Sequence, residues 1–152
     1  MADIRVELQV QTLLRGLDEN EIGKIIPLLT TLNAQKDTSV FREGEPSRGI
    51  YMITRGRVEI SKTTPDGWRQ PLVILSRGNF MGEIAVLEKT HHCSDAKAFD
   101  AAELLLFPTA AFEEMEKKEP FIMLKIIKNI AIISGMNVRR MNDKFIKALV
   151  NY

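Results

Sequence analysis

The chain has 152 residues, 45% hydrophobic and 27% charged, with a formal net charge of +1. That is the size of one globular domain with a core of its own, and so even a charge balance argues against a protein whose main partner is a polyanion. Aromatic residues make up 7%, few for a single-strand platform built on base stacking, and the single cysteine, Cys93, leaves no internal disulfide.

Asp3, Arg5 and Glu7 occupy the stretch where a secretion signal needs an unbroken apolar run, so a cytoplasmic location is expected. Leu8, Leu13, Leu14, Leu17, Ile22, Ile25, Ile26 and Leu28 then recur at threes and fours, the helical period. Asp18 and Glu21 have the spacing of an N-cap and its partner. They predict a helix from Glu19 to about Leu32, with Pro27 as a kink or break.

From residue 38 to 107 short apolar runs alternate with turn residues. The runs are Ser39–Phe41, Ile50–Thr54, Val58–Lys62, Leu72–Leu75, Ala96–Phe99 and Leu104–Phe107. Val58 and Ile60 alternate with Arg57, Glu59 and Ser61, the period of a half-buried strand. Pro65-Asp66-Gly67 reads as a hairpin turn. Strands at this spacing predict an antiparallel sandwich or barrel. Gly82 to Glu88 lacks turn chemistry and reads as a short helical turn inside the β zone.

Helical spacing returns at Ala110–Lys118, and Glu119-Pro120 suits the start of a new helix running to about Val150. Leu124, Ile127, Ala131, Ser134, Val138, Met141 and Phe145 form a heptad seam on it. Met123, Ile126, Ile130, Ile133 and Asn137 form a second stripe. Two apolar faces need two covers, so one is expected to face the domain and the other a partner. The apolar stretch from Ile126 to Met136 is broken by Lys128 and Asn129, so no membrane span is expected.

Three motifs carry a resemblance. They are Val40-Phe41-Arg42-Glu43-Gly44-Glu45-Pro46, Ile50-Tyr51-Met52-Ile53-Thr54-Arg55-Gly56-Arg57-Val58-Glu59-Ile60, and Gly78-Asn79-Phe80-Met81-Gly82-Glu83-Ile84-Ala85-Val86-Leu87. In this order and spacing they resemble the cyclic nucleotide-binding domain, the family of the catabolite activator protein and of the regulatory subunits of cyclic-AMP-dependent kinase. The resemblance covers about residues 20–142. It implies a mainly β fold: a double-stranded β-helix, or jelly-roll, barrel of eight strands with helices before it and a long helix after it. The expected organisation is a single domain, 1–152, with N-terminal helices over 1–35, the barrel over 36–108 and C-terminal helices over 109–152. Gly44 and Gly56 are read as turn positions where a Cβ would clash.

The resemblance also implies a site. Gly82, Glu83, Ile84 and Ala85 fall on the turn whose backbone N–H groups face the cyclic phosphate. Glu83 stands where the family's acidic residue binds the ribose 2′-hydroxyl. Asn137 matches the region of the long helix that contacts the base. The family's phosphate-binding arginine falls on His92 when aligned back from Glu103-Leu104-Leu105, and on Cys93 when counted forward from Gly82. Neither is an arginine. Loss of such a charge-assisted contact, worth about 1.5–3 kcal/mol, weakens binding about tenfold to more than a hundredfold. Lys89 and Lys97 are nearby cations that could take over the role.

Adjacent strand residues point to opposite faces, so His91-His92-Cys93 does not converge on a metal, and no other histidine exists. Two neighbouring histidines cannot furnish a cupin-type metal enzyme, and Cys93 lacks a nucleophile's partners. Arg139-Arg140 with Lys144 and Lys147 reads as a solvated helix face.

The expected function is that of a non-enzymatic regulatory sensor. It would bind a small anionic nucleotide such as cyclic AMP or cyclic GMP, need no other cofactor, and signal through the C-terminal helix. It would pair as a homodimer on that helix and act on a protein partner. The alternative is a module that has lost nucleotide binding and serves dimerisation or docking. No helix-turn-helix follows the long helix, so DNA binding is not expected, nor is a membrane.

Overall fold

The computed structural model describes residues 3–151; the expected domain bounds at Met1 and Tyr152 lie outside the described residues. Helix α1 (Ile4–Gln9) begins at Asp3, whose carboxylate accepts the Arg5 N–H. After a 3-10 turn at Thr12–Leu14, α2 (Glu19–Ile25) opens with a reciprocal cap. The Glu21 N–H donates to Asp18 at 2.8 Å, and the Asp18 N–H donates to the Glu21 carboxylate at 2.9 Å.

The helix expected to reach Leu32 stops at Ile25. Pro27 has no N–H and its ring crowds the preceding turn, so the chain tightens into a 3-10 turn at Ile26–Leu28. Leu29 is extended, and the β-branched pair Thr30-Thr31 starts a strand, β1 (Thr30–Ala34). Six strands follow the expected runs: β2 (Ser39–Phe41), β3 (Gly49–Arg55), β4 (Val58–Thr63), β5 (Arg69–Leu75), β7 (Asp95–Ala98) and β8 (Ala102–Pro108). The eighth, β6 (Phe80–Met81), is two residues long.

They form two four-stranded sheets, ordered β1-β8-β3-β6 and β2-β7-β4-β5. All pairings are antiparallel; Tyr51 faces Leu106 and Met81 across one sheet, and Glu59 faces Ile74 and Lys97 across the other. This is the jelly-roll architecture, mainly β with helices at both ends. Gly56 is a turn residue of the kind expected: at φ +76°, its Cβ would lie 2.2 Å from the Ala101 carbonyl oxygen. Gly44 is not, for a Cβ there meets open space and only its φ of +87° favours glycine.

Strand β3 is buried on both faces because each face meets a different core. Tyr51 and Ile53 point into the barrel with Phe41, Val58, Met81, Leu104 and Leu106. Ile50 and Met52 point the other way, against Leu8, Leu13, Ile25, Phe112, Ile122 and Ile126. Each such side chain contributes roughly 1.5–3 kcal/mol when fully buried. The second core clamps the flanking helices, including α4 (Thr109–Lys118) and α5 (Pro120–Val150), onto the barrel.

The two stripes of α5 separate cleanly. Met123, Ile126 and Ile130 are buried in the second core, while Leu124, Ile127, Val138, Met141 and Phe145 are exposed. The polar break at Asn129 is an anchor: its amide donates to the carbonyls of Leu13 and Arg15, both at 2.9 Å. Lys125 adds an ion pair to Glu21 at 2.8 Å. An 18-residue window of α5 has a mean hydropathy of 1.5, enough by length and composition to cross a membrane, so the helix is more apolar than the stretch from Ile126 to Met136 suggests. Its buried stripe and its bonded Asn129 are those of a helix docked on its own domain.

Candidate functional site

The site begins where β6 turns into α3 (Glu83–Glu88). Gly82 makes that turn at φ +83°. A Cβ there would lie 3.0 Å from the Gly49 carbonyl oxygen and 3.4 Å from both Tyr51 Cδ2 and His92 Cε1. The position therefore calls for glycine on two counts, conformation and space. No side chain caps the start of α3, so its first N–H groups stay open. The turn lines a cavity of about 360 Å³ between the barrel and α5.

The structure brings every expected site residue to that cavity: Gly82, Glu83, Ile84 and Ala85 from the α3 turn, His92 and Cys93 from the loop before β7, and Asn137 from α5. Ile60, Val73 and Leu75 supply an apolar wall, and Thr12, Asn79 and Ser94 add polar groups. Burial pushes the Glu83 carboxyl above its ordinary range, and among the described residues it makes no ion pair.

The neighbours His91 and His92 diverge. His91 is exposed and bridges to Pro46, whereas His92 is 4% exposed. The His92 N–H donates to the Glu45 carbonyl at 3.0 Å, and its own carbonyl accepts the Gly44 N–H at 2.8 Å. Its Nε2 is buried without a partner. Burial lowers its pKa, opposed weakly by Glu45, so the ring is neutral at neutral pH. Cys93 is exposed, and its carbonyl accepts from Lys62 Nζ at 3.0 Å. Among the described residues no three His, Cys, Asp or Glu side chains gather to hold a metal.

The cyclic nucleotide-binding domain family matches residues 31–119, more than half of the chain. The chain belongs to this family. A protein of Rhodopseudomonas palustris named as a candidate potassium channel is 33% identical over 126 residues, 83% of this chain and 29% of that one. The CRP-like cAMP-activated global transcriptional regulator of Mycobacterium tuberculosis is 23% identical over 129 residues, 85% of this chain and 56% of that one. The chain thus spans well under two thirds of either relative. In fold it is similar to a cyclic nucleotide-binding domain from Methylobacillus flagellatus KT, with a TM-score of 0.87 at 15% identity, covering 95% of this chain and 84% of the other.

As a cyclic nucleotide-binding domain this chain departs from the family pattern at its cation. Neither Lys89 nor Lys97 lines the cavity; Lys89 ends α3 in a left-handed conformation, and Lys97 lines a separate groove on the outside of the β2-β7-β4 sheet. Among the described residues that line it, the sole Lys or Arg is Arg140, one turn beyond Asn137 on α5. Arg140 donates to the Asn137 side-chain oxygen. Nothing in the local residue pattern signals this, because Arg140 sits in a basic run with the pattern of a solvated face. Only the course of α5 past the cavity mouth assigns it.

Proposed function

We propose that this domain binds a cyclic purine mononucleotide in the cavity beside Gly82 and Glu83 and reports its occupancy through α5. The observation that carries this reading is the double position of α5. Through Ile133, Met136, Asn137 and Arg140 it walls the cavity. Through Val138, Met141 and Phe145 it presents an uncovered apolar seam. A ligand in the cavity touches the same helix that carries the free surface, so occupancy biases where that surface stands. A cavity of about 360 Å³ lies within the usual size of small-ligand sites. The family match and the name of the cAMP-activated relative support a cyclic nucleotide as the ligand class.

On this reading the domain is a cytoplasmic, non-enzymatic sensor that pairs with a second copy through α5 and acts on a protein partner. A thermal-shift panel of cyclic mono- and dinucleotides tests it. A ligand at about a hundred times its Kd adds about 2.7 kcal/mol, which for a domain of this length raises the melting temperature by about 5–10 °C. No shift with any member of the panel overturns the reading. The second reading, a docking module without a nucleotide, is favoured by one observation: among the described residues, the barrel wall of the cavity holds no Lys or Arg side chain.

A further inference from the structure

The Asn137–Arg140 pair on α5 carries information about the base. A guanidinium has donors only. Because Arg140 donates to Asn137, the amide must turn its oxygen toward the arginine. What remains free on Arg140 is the rest of its donor fork; what remains on Asn137 is its NH₂ group and the second lone pair of an oxygen already held by the arginine. The α5 wall of the cavity therefore offers mainly donors, and the one side-chain acceptor of this pair is already engaged by Arg140. The remaining α5 residues of that wall, Ile133 and Met136, are apolar.

Purines differ in what they present to such a wall. The N7/O6 edge of guanine carries two acceptors, whereas the matching edge of adenine carries one acceptor and the N6 amino donor. Placed against Asn137 and Arg140, the adenine amino group would meet the arginine's donors and compete with them for the Asn137 oxygen, which weakens its pairing on burial. Guanine would fill both positions, and arginine is the preferred reader of that acceptor pair.

We propose that the Asn137–Arg140 pair makes this site selective for the guanine edge, so that the domain prefers cyclic GMP to cyclic AMP. This rests on the nucleotide reading above and adds the identity of the base. Both residues lie outside the barrel cores, with Arg140 exposed, so they are replaceable without loss of packing.

The test is calorimetric titration of the full chain with cyclic GMP, cyclic IMP and cyclic AMP. Cyclic IMP keeps the O6 and N7 acceptors of guanine and lacks its 2-amino group. Wild type is expected to bind cyclic GMP and cyclic IMP alike, each at least about fivefold tighter than cyclic AMP. Arg140→Gln supplies an amide that offers both donor and acceptor, so the preference should fall to unity or invert. Arg139→Gln should leave it unchanged, and unaltered melting of the unliganded variants confirms that they fold. Cyclic AMP bound as tightly as cyclic GMP, cyclic IMP behaving like cyclic AMP, or an unchanged preference in Arg140→Gln each overturns the guanine assignment alone. Failure of wild type to bind any of the three overturns the nucleotide reading itself.

Discussion

The imidazole of His92 lies flat on the ring of Phe41, with centroids 3.7 Å apart and planes 6° from parallel. Phe41 belongs to the barrel core, so this stack makes the buried His92 part of the cavity's inner wall. Its neighbour Cys93 is exposed and also lines the cavity. The two registers left open by the sequence thus differ physically: one position is a packed aromatic, the other a free side chain.

Arginine substitutions should separate them. Cys93→Arg places a guanidinium at the cavity mouth at little packing cost and is expected to raise cyclic AMP affinity at least tenfold, about 1.4 kcal/mol. His92→Arg forces a charge into the space between Phe41 and Gly82 and is expected to destabilise the fold by about 1–3 kcal/mol. Calorimetry and urea unfolding of both variants check this. Higher affinity from His92→Arg with stability intact would put the phosphate position at residue 92 instead.

Stability should fall on mild acidification, and His92 is the reason. Its folded pKa is lowered from its ordinary value of about 6.5 by burial. Above that value the ring is neutral in both states, and its share of stability is fully present. As pH falls through 6.5 toward the folded value, the unfolded chain takes up a proton that the native ring refuses, and stability is lost. Glu83 works in the opposite sense. Its raised folded pKa makes its contribution complete below the ordinary carboxylate value of 4.5 and lost as pH rises through the folded value. His92→Phe retains a ring on Phe41 without the titration. Urea unfolding at pH 7.5 and 5.5 should therefore show a smaller acid loss in the variant than in wild type. Any rise of anionic-ligand affinity from protonation of His92 should likewise begin only below pH 6.5.

What the sequence disclosed, and what it hid, follows from how each element is built. Strands with Val and Ile alternation or a continuous apolar run, such as Val58–Thr63 and Gly49–Arg55, announce themselves because their burial sets the pattern. Thr30–Ala34 does not: Thr30, Thr31 and Asn33 are exposed, leaving Leu32 and Ala34 too sparse a signal beside a helix. Phe80–Met81 is too short to show a period at all. The two α5 stripes were legible because each obeys helical spacing. Arg140 was not, since its place depends on where a distant helix crosses the cavity mouth.

Gly82→Ala should destabilise the domain while Gly135→Ala does the reverse. At Gly82 a methyl must adopt φ +83° and approach the Gly49 carbonyl to 3.0 Å, at a cost of about 1–3 kcal/mol. Gly135 lies inside α5 with nothing within 4 Å of its would-be Cβ, so alanine there gains about 0.5–1 kcal/mol in helix propensity. For a chain of this length the melting temperature should drop by about 2–12 °C in the first variant and rise by about 1–4 °C in the second. Calorimetric scans of the two proteins decide it; an unchanged Gly82→Ala would mean that β6 and α3 rearrange to accept a side chain.

The exposed seam of α5 yields the last prediction. Val138, Met141 and Phe145 are 55%, 68% and 64% exposed, and they continue the line of Leu124 and Ile127 at spacings of three and four. The same stripe on a second copy would match a stripe this long, with Ala131 and Ser134 small enough to let two backbones approach. The expected state is a parallel dimer, in which both copies place their cavities on the same side of the paired helices. Val138→Glu with Met141→Glu sets four carboxylates against one another across such a seam, and like charges there cost more than the contacts return. Light scattering should give twice the chain mass for wild type and the single-chain mass for the double variant, with circular dichroism unchanged because neither residue belongs to the two cores. A wild-type protein that remains monomeric at high concentration would remove the second copy as the cover of this face.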